Sequence, residues 1–110
     1  MTIQEQFEQL EKTVRGYNPA ADFAQIRAAF EFAERSHAGQ KRKSGEPYII
    51  HPLAVAQIVA EELKLDSESI EAALLHDVIE DTPATHEEVS RLFSPTIADL
   101  VEGVSKLTRI

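Results

Sequence analysis

The segment from Ile70 to Asp81 constrains this chain most. Ile70, Ala73, Leu74, Leu75, Val78 and Ile79 cover most of a helical circumference, and four ionisable residues, His76, Asp77, Glu80 and Asp81, crowd its end. A helix that is apolar almost all round belongs in the middle of its fold, so the remaining elements must be laid around it. The rest of the chain is patterned to do this. Ile3, Phe7, Leu10 and Val14 form one stripe at spacings of three and four, with Gly16 as a stop signal. Phe23, Ile26, Phe30, Ala33 and His37 repeat the pattern over roughly 20 to 37, with Asp22 near the N-terminus. His51-Pro52 starts a third helix carrying Leu53, Ala56, Val59, Ala60 and Leu63, with proline at its first position. Asp66-Ser67 caps the central helix, and Thr85-x-x-Glu88 is a capping box for a short one carrying Val89, Leu92 and Phe93. Ser94-Pro95 opens the last, with Ile97, Leu100, Val101, Val104 and Leu107. The expectation is an all-α bundle of about six helices. Period-two alternation is too short anywhere to demand a strand, and a short hairpin between Arg42 and Ile49 stays open as an alternative inside a loop.

Composition then narrows the function. A chain of 110 residues holds one domain or part of one. With 11 Lys and Arg against 19 Asp and Glu, its net charge of −8 argues against a nucleic-acid scaffold, which needs a basic face. No apolar run approaches the ~18 to 20 residues that span a bilayer, and no signal-peptide pattern opens the chain, so a cytoplasmic protein without membrane contact is expected. Cysteine is absent, which removes thiol catalysis and Cys-ligated metal and leaves His and carboxylates as the available ligands.

The charged end of the central helix is where chemistry is expected. On a continuous helix His76 and Glu80 are i,i+4 neighbours, as are Asp77 and Asp81, so the four make one patch. Three carboxylates at a helix C-terminus oppose the macrodipole, each by about 0.3–1 kcal/mol. An ordinary solvated helix end would carry Lys or Arg there, and a bound cation reverses the sign of the conflict. Adjacent His76 and Asp77, with His51 at the start of the preceding helix, supply an N,N,O ligand set for Mn²⁺, Fe²⁺, Mg²⁺ or Zn²⁺. The loop Lys41-Arg42-Lys43-Ser44-Gly45 gathers positive charge in an acidic chain just ahead of His51. It is either a plain solvated loop or a clamp for phosphates, with Arg as a bidentate fork and Gly admitting the backbone. His37 is expected to be a hydrogen-bonded structural residue, His86 an exposed one, and Tyr48 an ordinary core or loop aromatic.

Taken together, four blocks are recognisable: His37-Ala-Gly-Gln-x-Arg-Lys-Ser-Gly-Glu-Pro-Tyr-Ile, His51-Pro-Leu-x-Val-Ala, Ala-Leu-Leu-His76-Asp77-Val-Ile-Glu80-Asp81-Thr82 and Leu-Val-Glu-Gly-Val-Ser-Lys-Leu. The chain resembles, over roughly residues 20 to 108, the N-terminal HD-type hydrolase domain of the RelA/SpoT family of alarmone synthetase/hydrolases. The resemblance implies an HD-domain-like helical bundle that removes the 3′-diphosphate of guanosine tetra- or pentaphosphate, giving GDP or GTP and pyrophosphate, with Mn²⁺ as the usual ion. It implies metal ligation by His51, His76 and Asp77, handling of the attacking water by Glu80 and Asp81, and nucleotide binding by Arg42, Lys43 and Ser44. The family also uses a further Asp ligand and an Asn from a later helix, for which these residues hold no counterpart. The expectation is therefore one partial HD hydrolase domain over 1–110, with 1–18 as an N-terminal helix and connector. Its last helix would be left uncovered and prone to self-association. Rival expectations are a different HD nucleotide phosphohydrolase, or a non-catalytic module that binds a nucleotide or protein partner.

Overall fold

The structure, a computed structural model, describes residues 1–108, with side-chain surroundings given as far as Gly103. It is all-helical: α1 (Ile3–Tyr17), α2 (Phe23–Ser36), α3 (Ile50–Ile58) running on as a π-helical turn (Val59–Leu63), α4 (Ser67–Leu75), the single turn α5 (Val78–Asp81), α6 (His86–Leu92) and α7 (Pro95–Thr108). The six longer elements match the expected bundle. Among the described residues, extended pairing is confined to an isolated antiparallel bridge between Lys41 and Pro47.

Local signals account for most boundaries. Thr2 and Glu5 form a capping box at α1, with the Glu5 N–H donating to Thr2 Oγ1 at 3.0 Å and the Thr2 N–H donating to Glu5 Oε1 at 2.8 Å. Asp22 caps α2 through the Gln25 N–H, Asp66 caps α4 through the Ser69 N–H, and Thr85 and Glu88 form the expected box at α6. Three boundaries differ from expectation. Helix α1 runs past Gly16 because Tyr17 is anchored, its hydroxyl donating to the Leu65 carbonyl at 2.6 Å, and the helix closes at Asn18. Helix α3 begins at Ile50, so Pro52 is its third residue, which is tolerated because no N–H of the first turn has an intrahelical partner. Its far end loosens into the π turn, where the Lys64 N–H reaches back five residues to the Val59 carbonyl and Lys64 adopts φ 50°.

The larger correction concerns the central helix, which is not continuous to Asp81. It stops at Leu75, His76 and Asp77 form a turn, and α5 restarts at Val78. The Ala73 carbonyl, which a continuing helix would offer to the Asp77 N–H, accepts from His76 Nδ1 at 2.7 Å. A side chain has taken a rung of the ladder, and Asp77 sits at φ −99°, ψ −3°.

Helix α4 is nonetheless central. Ile70, Leu74 and Leu75 are fully buried, and α2, α3 and α7 pack against it. Phe7 and Phe30 stack with ring centroids 4.4 Å apart where α1 meets α2. Ile97, expected on an uncovered stripe, lies in the chain's own core, whereas Leu100 is exposed; the side chains of Val104 and Leu107 lie outside the described residues. Helix α4 also buries Glu71, only 2% exposed, and its Oε1 has no hydrogen-bond partner. Burial first, and then the neighbouring Asp22, Glu68 and Asp66 charges, push the Glu71 carboxyl up to about 7. No helix among the described residues is long and apolar enough to cross a membrane.

Candidate metal centre

The helix break brings the expected ligands together. His51 comes from the first turn of α3, His76 from the end of α4 and Asp77 from the turn between α4 and α5. One ligand atom from each lies within 4.8 Å of the others. His76 Nε2 is 3.1 Å and His51 Nε2 3.5 Å from Asp77 Oδ2, and the two imidazoles meet edge to face at 5.3 Å.

The electrostatics separate the two histidines. For His76 burial disfavours charge, yet the hydrogen bonds to Asp77 and to the Ala73 carbonyl outweigh it and raise its pKa. For His51 burial dominates, and the positive influences of His76 and Arg42 add to it, so its pKa falls below the usual histidine value despite Asp77. Burial works against the Asp77 carboxylate as well, but bonds from His76 and Tyr48 hold it below the ordinary range.

This donor set fits a divalent ion on its chemistry. Because Nδ1 of His76 donates to a carbonyl, its Nε2 carries the lone pair toward Asp77 whenever the ring is neutral, the second-shell arrangement common to metal-bound histidines. Two imidazoles and a carboxylate suit Mn²⁺, Fe²⁺ or Zn²⁺ and leave further positions open.

The basic loop lies next to this centre. A cavity of about 570 Å³ is lined by Lys41, Arg42, Lys43, Ser44, Tyr48 and His51. The loop is a tight excursion: the Gly45 N–H donates to the Arg42 carbonyl and the Arg42 N–H to the Glu46 carbonyl, both at 2.8 Å. Gly45 has φ +88°, a conformation that strains any residue with a Cβ. A second cavity, of about 550 Å³, is bounded by His51, His76 and Asp77 and by apolar residues including Val55, Val59 and Leu100. Tyr48 and His51 border both.

The acidic pair is placed less centrally. Asp81 Oδ2 lies 3.5 Å from the Tyr48 hydroxyl, and Glu80 is exposed on the single turn α5. Despite the break at His76 and Asp77, Asp81 stays beside Asp77, its N–H donating to the Asp77 carbonyl at 2.9 Å and both carboxylates meeting at the Tyr48 hydroxyl.

Sequence reasoning missed two participants. The Tyr48 hydroxyl donates to Asp77 Oδ2 at 2.7 Å, and desolvation followed by that bond raises the phenol's pKa, keeping it a donor. Gln40 Nε2 donates to the Asp81 carbonyl at 2.6 Å, while Gln40 Oε1 takes His37 Nδ1 at 3.0 Å. The available signal was position: both residues flank the basic loop within a dozen residues of His51. His37 is buried and structural, as expected, and His86 pairs with Asp99 at 2.9 Å, outside the His51, His76 and Asp77 cluster.

Residues 29–110 match the HD domain model, and the chain belongs to the HD domain family. Within it, the chain is 53% identical over 104 residues to the bifunctional (p)ppGpp synthase/hydrolase SpoT of Escherichia coli, spanning 94% of this chain and 15% of that protein. It is 52% identical over 103 residues to the guanosine-3′,5′-bis(diphosphate) 3′-pyrophosphohydrolase of Aquifex aeolicus, covering 14% of that protein. The chain thus spans about a seventh of the curated relatives it matches. A solved structure described as a metazoan ortholog of SpoT that hydrolyzes ppGpp superposes with a TM-score of 0.71 at 36% identity, covering 74% of this chain and 48% of that one.

Proposed function

We propose that this domain is a metal-dependent phosphohydrolase that removes the 3′-diphosphate of guanosine tetra- and pentaphosphate, releasing GDP or GTP and pyrophosphate. The observation that carries this reading is the shared wall: Tyr48 and His51 border both the cavity of the basic loop and the cavity of the His51, His76 and Asp77 cluster. A polyanion held by the loop would lie beside the ligand set. The names of the similar bacterial proteins supply the substrate class.

In this reading His51, His76 and Asp77 hold a divalent ion, with Mn²⁺ the first candidate. Such an ion, when bound, lowers the pKa of a coordinated water and screens phosphate charge. Arg42 offers a bidentate fork to phosphate, Lys43 a point charge, and Ser44 a hydroxyl at the mouth of the same cavity. The net reaction joins a water oxygen to the proximal phosphorus of the 3′-diphosphate and breaks the phosphorus–O3′ bond, and O3′ takes up a proton. Glu80 and Asp81 are the carboxylates assigned to receive the water's proton and orient its oxygen. The Asp81 turn is tied down by Gln40, and the Asp81 carboxylate faces Tyr48.

The test is incubation of the protein with Mn²⁺ and guanosine tetraphosphate, with chromatographic separation of the nucleotide products. GDP and pyrophosphate in equal amounts, lost on chelation, support the reading. Nucleotide binding without turnover would assign the site to recognition alone, and products other than GDP and pyrophosphate would move it to a different nucleotide phosphohydrolase.

A further inference from the structure

We infer that Tyr48 is a positioning residue for the metal centre: its hydroxyl orients the Asp77 carboxylate toward the two imidazoles and ties ligand geometry to the basic loop. The inference rests on the proposed metal-dependent reading and adds a residue to it. Three observations carry it. The Tyr48 hydroxyl has one proton, and the short contact shows where it goes, to Asp77 Oδ2 at 2.7 Å rather than to Asp81 at 3.5 Å. The accepting atom is the carboxylate oxygen that faces both His76 Nε2 and His51 Nε2, so the phenol engages one lone pair of Oδ2 and leaves another directed at the imidazoles. The ring itself is fixed. It packs against His37 at 4.6 Å and against the edge of His51 at 5.8 Å, while its backbone N–H donates to the Gln40 carbonyl at 3.0 Å.

Asp77 needs such a support because it stands in a broken helix. Its neighbour His76 has taken the Ala73 carbonyl, and the Asp77 side chain makes no cap bond to α5. The partner at 2.7 Å arrives from 29 residues earlier in the chain, at the C-terminal end of the basic loop. Displacement of the loop therefore reaches Asp77 through one covalently rigid side chain. Outer-shell partners of this kind cost metal affinity when removed, by roughly 10–100-fold.

The experiment is titration of the metal-free protein with Mn²⁺, reading free Mn²⁺ by electron paramagnetic resonance, on wild type, Tyr48→Phe and Asp77→Asn. Tyr48→Phe keeps the ring and its packing and removes only the hydroxyl. We expect its Mn²⁺ affinity to fall by roughly 10–100-fold, and Asp77→Asn to lose the site. Saturating Mn²⁺ should then restore kcat of Tyr48→Phe on guanosine tetraphosphate. A general disturbance of the loop would instead raise KM and resist rescue by metal. Wild-type affinity in Tyr48→Phe together with loss in Asp77→Asn overturns the role of Tyr48 and leaves the metal centre standing. Wild-type affinity in both variants overturns the metal centre itself.

Discussion

His76 Nδ1 donates to the Ala73 carbonyl at 2.7 Å, and this one bond both ends the central helix and turns the other ring nitrogen toward Asp77. The same residue is therefore a helix terminator and a ligand candidate.

Substituting His76 by Ala should abolish Mn²⁺ retention, measured by elemental analysis after gel filtration. The ring's raised pKa adds a pH dependence, since a proton on Nε2 competes directly with an ion and metal should be released as the solution is acidified through the His76 titration. Metal content unaffected by the substitution would remove His76 from the site.

Binding and chemistry should separate kinetically. Glu80→Gln is expected to lower kcat by about 10²–10⁴-fold with little change in KM, as for loss of a general base. Arg42→Ala, which removes a charge-assisted contact, should raise KM roughly 10–100-fold with kcat largely kept. Steady-state kinetics on guanosine tetraphosphate check both, and parallel losses in kcat and KM for the two variants would reject the division of roles.

Glu71 makes stability fall as pH rises. Its folded pKa of about 7 stands above the ordinary 4.5, so between these values the folded chain holds a proton that the unfolded chain has lost. The associated stability is fully present below the ordinary value and is lost as pH climbs through about 7, an effect of order 1–3 kcal/mol. Glu71→Gln mimics the protonated acid and should be more stable than wild type at pH ~8 and nearly equal to it at pH ~4. Urea melts at both pH values measure the difference, and a constant offset between the two proteins would show that Glu71 does not carry the proton.

Phe7 tests the packing around α1. It is fully buried and stacked on Phe30, so Phe7→Ala should cost about 3–5 kcal/mol through lost transfer energy and a residual cavity. The urea midpoint should drop with the slope unchanged, whereas a cost below about 1 kcal/mol would mean that α1 is not integral to the core.

Neighbours within a turn or two specify much of this molecule. Apolar residues three and four apart specify helices wherever they recur, and Thr85 with Glu88 announces its cap because both partners of the box lie within one turn. His76 and Asp77 stood out for a related reason, since acids crowding the end of an apolar helical pattern conflict with the dipole of a continuous helix, and His51 joined them from the start of the preceding helix. Packing across the bundle decided where that helix breaks, because a ring nitrogen competing for the Ala73 carbonyl depends on the rotamer its surroundings allow. It also decided that Tyr48 grips Asp77 and that Gln40 holds the Asp81 turn, contacts that span 29 and 41 residues and exist only once the basic loop is folded against α4 and α5. Glu71 belongs to the same class. As a residue type it reads as a solvated helix position, and only the close approach of α2 to α4 turns it into a buried acid. Local propensity is encoded in short spacings, whereas side-chain pairing across the bundle depends on which helix faces meet.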